Sequence, residues 1–305
     1  MELRQLKYFL KLSETLNFSA AARELFITQS TLSQQIQQLE HEFSQPLFQR
    51  NSHEVSLTEA GQMLIPLAEE TLHAADNCLM RMEELKNLMG GELNIGVTFS
   101  FTSIMAETLT AFLRAYPNVK MNVSQSYMAD LMERLLHHEL DFVLAFKPLL
   151  GNPRIESRPL FRNRLAVIVD EHHALSTRKS VTLSELQRYD LAMPRRGLQA
   201  RNAFDRISAG TGYRFRMKVE MNTVYLLFRL VRESNYVTVL SESTVVGETG
   251  LCAIPILNAD EPVYTMQGCI HLLKDAYMKQ ATREFIRLLG ESTAILRNKF
   301  SEPEE

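Results

Sequence analysis

The sequence has few cysteines, no long apolar run and no excess of basic charge. Its three cysteines, Cys78, Cys252 and Cys269, are too few and too scattered for a disulfide framework or a cysteine zinc site, and an odd count fits a reducing compartment. No apolar stretch approaches the ~18 residues that span a bilayer, and the first residues lack the basic and apolar regions of a secretory signal. We therefore predict a cytoplasmic protein that needs no metal and no cofactor.

The shortage of basic charge is greatest in the N-terminal part. The chain of 305 residues has a net charge of -3, and residues 1–90 alone hold seven basic and twelve acidic side chains. Nucleic-acid-binding proteins usually present a basic patch to the phosphates, so charge taken alone argues against DNA as a partner. Half of this acidity falls on residues 59–84, however, and residues 1–57 hold five basic and six acidic side chains. The first 57 residues are therefore close to neutral.

Helical periodicity dominates the first 60 residues. Ser19 is suited to cap a second helix, and Thr28 to cap a third helix that runs to about Glu42. One face of this third helix is apolar, at Leu32, Ile36, Leu39 and Phe43. Its outer face carries hydroxyls and amides instead of the charges of an ordinary solvated helix, at Ser30, Ser33, Gln34, Gln37 and Gln38.

A longer helix is predicted from Thr58 to Met89. Pro66 removes one backbone hydrogen bond and should bend it, and Gly90 and Gly91 close the segment. Spacings of four and three residues alternate along the helix, and such a heptad pattern predicts pairing with a second helix. The residues of this dimerisation seam are Leu64, Ala68, Thr71, Ala75, Cys78, Met82, Leu85 and Met89. The alternative is a single helix that packs on its own domain.

After Gly91 the pattern changes to alternating strands and helices. Strands are predicted at 93–97, 119–123, 142–146, 165–169, 191–193, 215–221, 236–240 and 264–273. Helices are predicted at 102–116, 128–140, 199–209, 223–232 and 277–297. Such alternation predicts an α/β fold with mostly parallel sheets, and its length indicates two lobes rather than one. The tail at 298–305 should be solvated.

Five blocks of sequence occur together in residues 1–61. They are LKYF at 6–9, NFSAAAREL at 17–25, QSTLSQQIQQLE at 29–40, PLFQR at 46–50 and LTEAG at 57–61. In this combination the N-terminal part resembles the winged helix-turn-helix domain of the LysR-type transcriptional regulators. GELNIG at 91–96 and ELDFVL at 139–144 resemble two strands of the same family, so the similarity extends along the chain.

The resemblance implies binding to double-stranded DNA through the third helix and a wing hairpin. Gln can pair with adenine, and Ser with a base or a phosphate, and residues near the start of a recognition helix reach base edges. The expected DNA-binding residues are Thr28, Gln29, Ser30, Ser33, Gln34 and Gln37 on the helix and Arg50, Asn51 and His53 in the wing. Many relatives carry a basic residue at the position of Gln34, so a shallow salt dependence of binding is predicted.

For the C-terminal part, the resemblance implies two α/β lobes that close around a small effector, as in periplasmic binding proteins. Residues 1–58 would form the DNA-binding domain and 59–90 the linker helix, while 91–161 with 266–297 would form the first lobe and 162–265 the second. Ligands in α/β sheets lie at the carboxyl ends of strands, near helix N-termini that favour negative charge, and adjacent arginines bind anions. The residues expected to bind an anionic effector are Thr98, Ser100, Thr102, Ser126, Phe146, Arg195, Arg196, Asn222 and Thr223.

An enzymatic function is not predicted. The sequence holds no nucleophile elbow, no phosphate loop and no cysteine pair at ligand spacing. Cys252 and Cys269 would form a redox switch in one interpretation, similar to peroxide-sensing relatives, and would be buried, inert thiols in the other.

Two functions follow from the sequence. The first is a regulator of LysR type, a homodimer or homotetramer whose partners are a DNA operator, a small-molecule effector and RNA polymerase. The fold class in that case is α/β with an N-terminal all-α winged helix-turn-helix domain, a long linker helix and a two-lobed effector domain. The second is a cytoplasmic solute-binding or scaffold protein that uses its N-terminal helices only to oligomerise. Salt-dependent affinity for DNA distinguishes the two.

Overall fold

The computed structural model describes residues 1–50, 55–84, 91–257, 265–274 and 276–300. The chain divides into two units, Met1–Asn87 and Leu88–Glu305, each with its own apolar core. Within the described ranges, no helix is both long and apolar enough to cross a membrane. Four of the predicted site residues, Asn51, His53, Leu85 and Met89, lie outside the described residues.

The described part of the N-terminal unit contains helices and a two-stranded wing. In chain order the elements are α1 (Leu3–Thr15), α2 (Phe18–Glu24), α3 (Gln29–Phe43), β1 (Phe48–Arg50), β2 (Val55–Leu57) and α4 (Glu59–Glu84). The two strands are antiparallel, with Phe48 opposite Leu57. The predicted core face of α3 is confirmed, since Leu32, Ile36 and Leu39 are fully buried.

The helix caps are partly those that the sequence predicts. Thr28 caps α3, and its Oγ1 accepts a hydrogen bond from the Thr31 amide at 3.1 Å. The prediction that Ser19 caps α2 is wrong, because Asn17 does so and its Oδ1 accepts from the Ala20 amide at 3.0 Å. Asn and Ser are about equally favourable at this position, so composition alone does not choose between them.

The first part of α4 packs on its own domain. Thr58 caps the helix by accepting a hydrogen bond from the Gly61 amide at 3.0 Å, and Pro66 lies within the helix. Leu64 and Ala68, the first two residues of the predicted seam, pack into the helix-turn-helix core, where Ala68 is 1% exposed. The seam that remains available for a second helix therefore begins beyond Ala68.

The C-terminal unit alternates strands and helices in two lobes. Its first elements are β3 (Gly91–Val97), α5 (Thr102–Ala115), β4 (Val119–Gln125), α6 (Met128–Leu136), β5 (Phe142–Phe146) and β6 (Ile155–Asp170). The next are β7 (Val181–Thr182), α7 (Leu183–Leu186), β8 (Asp190–Pro194), α8 (Gln199–Ser208), β9 (Arg216–Met221) and α9 (Val224–Arg232). The last are β10 (Thr238–Ser241), β11 (Leu251–Leu257), β12 (Thr265–Leu273) and α10 (Gln280–Phe300). Short 3-10 helices occupy Phe99–Phe101 and Glu242–Val245.

Two long strands, β6 and β12, connect the lobes. The largest sheet has the order β4-β3-β5-β12-β6-β11-β7, with β10 also paired to β6, while β8 pairs with β9. β6 and β12 are antiparallel over a register that runs from Thr265 opposite Arg164 to Leu273 opposite Ile155. The prediction of mostly parallel sheets is wrong, because β12 is antiparallel to β5 and β6, and both β10 and β11 are antiparallel to β6.

Three phenylalanines pack where the crossing strands meet. The Phe101 ring centroid lies 5.3 Å from that of Phe146 and 5.4 Å from that of Phe161. Gly268 of β12 lies directly against this group, since a Cβ added there would come within 2.8 Å of the Phe161 ring. A glycine is therefore required at the point where the strands cross.

Candidate functional site

The outer face of α3 is an exposed, uncharged surface. Gln29, Ser30, Gln34 and Gln37 are exposed, and Ser33 is half-buried. Because the opposite face of the helix is fixed in the core, these side chains are held together on one side. The structure thus brings together the predicted helix residues, as amide and hydroxyl groups suited to base edges. Thr28 lies at the end of this face as its cap.

Arg50 lies beside this surface at the end of β1. Its Nη2 is 3.1 Å from Glu40 Oε2, its Nη1 donates to Ser33 Oγ at 3.4 Å, and its guanidinium lies over the Phe18 ring, 4.8 Å from the centroid. The wing arginine is therefore positioned against α3, next to a predicted contact residue. Sequence reasoning missed Glu40, whose acidic character gives no sign that it orients a basic neighbour.

A second residue that sequence reasoning missed is Phe26, in the turn before α3. It is 96% exposed and has a left-handed backbone, with φ of 55°. Bulky residues rarely adopt positive φ, and the apolar side chain gives no sequence signal for such exposure. The helix-turn-helix unit therefore presents one large apolar side chain to solvent beside the start of α3.

In the C-terminal unit, the part of the cleft between the lobes that lies beside Thr98 is almost closed. Thr98, Ser100 and Ser126 from one lobe line it together with residues such as Gly197 and Gln199 from the other. The cavity that they enclose measures about 20 Å³, which is roughly the space of one water molecule. Three of the predicted effector residues thus share one site, and in this arrangement the site has no room for a larger ligand.

The three hydroxyl residues at the first helix of this lobe have different roles. Thr98 is buried, and its Oγ1 donates to the Leu144 carbonyl at 3.3 Å. The Ser100 carbonyl accepts from Ser243 Oγ at 3.4 Å. Thr102 lies outside the cavity and bonds to the Phe99 carbonyl at 2.8 Å. Of the three, Thr98 and Ser100 are the residues in the lining.

The predicted residues across the cleft lie at its edge. Arg195 and Arg196 are exposed and do not line the cavity, and Arg196 Nε is 3.6 Å from Asp205 Oδ2. Asn222 and Thr223 are also exposed and outside the lining. The structure therefore does not bring these four residues together with Thr98 and Ser100.

Gln199 joins the two lobes at the base of the cleft. Its Oε1 accepts a hydrogen bond from the Phe146 amide at 3.2 Å, and its Nε2 donates to the Phe146 carbonyl at 2.9 Å. The buried Phe146 therefore contributes its backbone to the contact while its ring belongs to the hinge core. The sequence gives no signal for this role, since Gln199 reads as an ordinary polar residue at a helix start.

Polar groups are also buried beside the hinge. Glu242 is 4% exposed and lies 3.0 Å from Arg164 Nε, and burial raises the pKa of its carboxyl while Arg164 opposes that rise. Burial also lowers the pKa of His271 to about 4, against the hydrogen bond to the Ala145 carbonyl. In both side chains, burial therefore favours the neutral form more than water does.

The two C-terminal cysteines are not positioned to form a disulfide with each other. Cys252 is opposite Val169 on β6, and Cys269 is opposite Pro159 on the same strand. Ten residues of strand span ~33 Å, whereas a disulfide needs Cα atoms within ~7 Å. Burial raises the pKa of both thiols, which disfavours the reactive thiolate. The structure therefore supports the interpretation of inert thiols over that of a switch between this pair.

A small helix-turn-helix unit and a two-lobed α/β unit together define a known class of protein. The family described as "Bacterial regulatory helix-turn-helix protein, lysR family" matches residues 3–62, and "LysR substrate binding domain" matches residues 86–294. The chain belongs to the LysR family of transcriptional regulators. Its predicted family and fold class are thereby confirmed, and the matched families are regulators rather than enzymes.

Individual proteins show the same similarity. The HTH-type transcriptional regulator BudR of Raoultella terrigena is 35% identical over 188 residues, which are 61% of this chain and 65% of BudR. The chain thus spans less than two thirds of this curated relative. A full-length OxyR variant from Pseudomonas aeruginosa has a TM-score of 0.69 at 21% identity, covering 97% of this chain and 95% of that one. Full-length CbnR complexed with its target DNA has a TM-score of 0.63 at 20% identity, covering 96% and 100%. The two structures show a shared fold.

Proposed function

We propose that the protein is a transcriptional regulator that binds operator DNA through the outer face of α3 and changes its activity when a small effector occupies the cleft between the lobes. The proposal of DNA binding rests on the uncharged face of α3. On this face Gln29, Ser30, Gln34 and Gln37 are exposed, and the opposite face of the helix is apolar and fully buried. The solvated face of a helix usually carries charged side chains as well, whereas each of these amides can pair with a base edge in the major groove.

The proposed DNA contacts divide into two kinds. Gln29, Ser30, Ser33 and Gln34 read bases, with Thr28 at the helix start and Gln37 nearer the backbone. Arg50 contacts a phosphate or the minor groove beside Ser33, where Glu40 holds it, and Asn51 and His53 add wing contacts. Phosphate contacts position a protein on the duplex, and base contacts give it sequence preference.

The regulator is proposed to act as a homodimer or homotetramer. Beyond the part of α4 that packs on its own domain, Cys78 and Met82 of the seam are exposed, and Thr71 and Ala75 are half-buried. Leu79 is also 66% exposed. A helix with such a stripe buries it against a second copy, and two DNA-binding domains then contact two half-sites. Cytoplasmic location and contact with RNA polymerase follow from this role.

The lobe boundaries proposed are 91–161 with 266–297 for the first lobe and 162–265 for the second. The antiparallel pairing of β6 and β12 supports them, since these strands pass between the lobes side by side. The effector is proposed to be a small anion, bound by Thr98, Ser100 and Ser126 inside the cleft. Arg195, Arg196, Asn222 and Thr223 would act at its edge, with Thr102 and Phe146 as outer neighbours.

The DNA contacts are tested by fluorescence anisotropy with labelled DNA from upstream of the protein's own gene. We expect Gln34→Ala to weaken binding by about 1–3 kcal/mol, roughly 5-fold to 150-fold, as expected for loss of a base contact. Gln62→Ala is the matched control, since Gln62 is exposed on α4, and should bind as the wild type does. Equal affinity of Gln34→Ala and Gln62→Ala would remove Gln34 from the interface, and no binding by the wild type would overturn the regulator proposal for this DNA.

A further inference from the structure

A second cavity adjoins the closed cleft of the C-terminal unit. It measures about 740 Å³, against about 20 Å³ for the cleft. Gln199 and Met128 line both cavities and so separate them. Since sites for small organic ligands measure roughly 300–1,000 Å³, the second cavity has room for such a ligand without any separation of the lobes.

Most of its wall is apolar. Leu149 and Leu150 follow β5 and are 78% and 89% exposed, and they line the cavity together with Phe146, Pro148 and Met266. Two adjacent leucines with so much surface in water leave apolar area that a ligand can cover, and burial of apolar area is the main source of affinity in such sites. The cavity therefore fits a ligand with an apolar body.

Two basic residues, Lys147 and Arg206, belong to the wall. Lys147 is the one whose charge is available to a ligand, since Arg206 already has a partner. The Lys147 ammonium makes no ion pair or hydrogen bond with any residue in the described ranges, although its backbone amide donates to the Gln267 carbonyl at 2.8 Å. Asp205, also in the lining, is already compensated, with its Oδ1 2.8 Å from Arg201 Nε and its Oδ2 3.6 Å from Arg196 Nε. A single ammonium matches a single negative charge.

We propose that this cavity binds a small amphipathic carboxylate, with the carboxylate on Lys147 and the apolar body against Leu149, Leu150 and Met266. The cavity adjoins the proposed effector cleft and, like it, is lined by residues of both lobes. Gln199 links the two spaces, because the side chain that lines both of them also holds the Phe146 backbone.

The absence of tryptophan from the chain permits a direct measurement on the full-length protein. Leu150→Trp places one fluorophore in the cavity wall, and we expect its emission to change saturably with octanoate. Tyr213→Trp is the matched control, because Tyr213 is 41% exposed and does not line the cavity, and its emission should not change. No change with Leu150→Trp, or the same change with Tyr213→Trp, would overturn the proposal.

The charge requirement is tested in the Leu150→Trp background. Lys147→Met keeps the aliphatic stem and removes the ammonium, and we expect it to weaken octanoate binding about fivefold, as for a partly exposed ion pair. Lys147→Arg should retain binding, and octanol, which has no charge, should bind both variants equally. Unchanged octanoate affinity in Lys147→Met would overturn the proposal. Failure here leaves the DNA measurement with Gln34→Ala untouched, so the two proposals fail separately.

Discussion

The carboxylate of Glu40 holds the guanidinium of Arg50 against α3. The two groups lie 3.1 Å apart, and the other oxygen of Glu40 accepts hydrogen bonds from the Leu47 and Phe48 amides at 2.9 and 3.1 Å. One acidic residue of α3 therefore fixes both the start of β1 and the direction of the arginine at its end. If Arg50 contacts DNA as proposed, the DNA competes with Glu40 for its charge.

The contribution of Arg50 is measurable as a salt dependence. A phosphate contact contributes ~0.9 to the slope of log K against log salt concentration, so Arg50→Ala should lower that slope by about one per protomer. Anisotropy titrations at several KCl concentrations measure it. Arg81→Ala, on the linker helix, is the control and should keep the wild-type slope. An unchanged slope for Arg50→Ala would show that Arg50 contacts no phosphate.

The crossing point of the lobes should tolerate no side chain at position 268. A Cβ there would lie 2.8 Å from the Phe161 ring, and overpacking of this kind costs about 1–3 kcal/mol. We expect Gly268→Ala to lower the free energy of unfolding by that amount in urea titrations. Gly151→Ala is the control, because an added Cβ at Gly151 meets no atom within 4 Å. Equal stability of the two variants would contradict the packing described at the hinge.

Gln199 should control how readily the lobes separate. Its replacement in Gln199→Ala leaves the Phe146 amide and carbonyl without their partner, which costs about 1–3 kcal/mol for a buried group. We expect faster hydrogen exchange at the Phe146 amide and a lower free energy of unfolding. Gln125→Ala removes only a bond to Thr102 within one lobe and should leave exchange at Phe146 unchanged. Protection of that amide in Gln199→Ala would show that other contacts hold the lobes together.

Acid should destabilise the protein partly through His271. Burial lowers the pKa of His271 from 6.5 to about 4, so below pH 6.5 the unfolded chain takes up a proton that the folded chain does not. The stability that this neutral histidine contributes is present above pH 6.5 and is lost as the pH falls towards 4, by about 2 kcal/mol between pH 7.5 and 5.

The measurement compares urea unfolding at pH 7.5 and pH 5. Between pH 7.5 and pH 5, the free energy of unfolding of His271→Gln should fall by about 2 kcal/mol less than that of the wild type, since glutamine does not titrate. His172→Gln is the control, because the His172 side chain is 84% exposed, and it should show the wild-type dependence. An equal loss in His271→Gln and the wild type would mean that His271 is not the group that titrates.

Local patterns predicted the helices of the DNA-binding unit well. Leu32, Ile36 and Leu39 recur at helical spacing, and all three are fully buried. Thr28 caps α3, as predicted, because its hydroxyl lies directly before the helix and can accept a hydrogen bond from a free amide of the first turn. Ser19 failed as a cap because Asn17, two residues earlier, provides an equivalent acceptor. Periodicity therefore predicts the position of a helix more reliably than it predicts the residue at which the helix begins.

Contacts between distant segments were beyond prediction. The spacing of Leu64 and Ala68 fits a seam between two chains, yet both pack on their own domain, because a heptad pattern does not say which partner covers it. Gln199 and Phe146 are 53 residues apart, and only the folded arrangement brings them together. The direction of the strands was also predicted wrongly, since a pattern of alternating strands and helices does not show that β6 and β12 are antiparallel.

The position of β12 has a consequence for the gene. This strand, made by residues Thr265–Leu273, lies between β5 and β6 in the sheet. A premature stop codon after position 260 would spare every codon of the helix-turn-helix unit and of β3 to β11, yet the first lobe would lose an interior strand and the helix that follows it. Late nonsense and frameshift alleles should therefore behave as complete losses of effector response, and reporter fusions should retain the chain to its last helix.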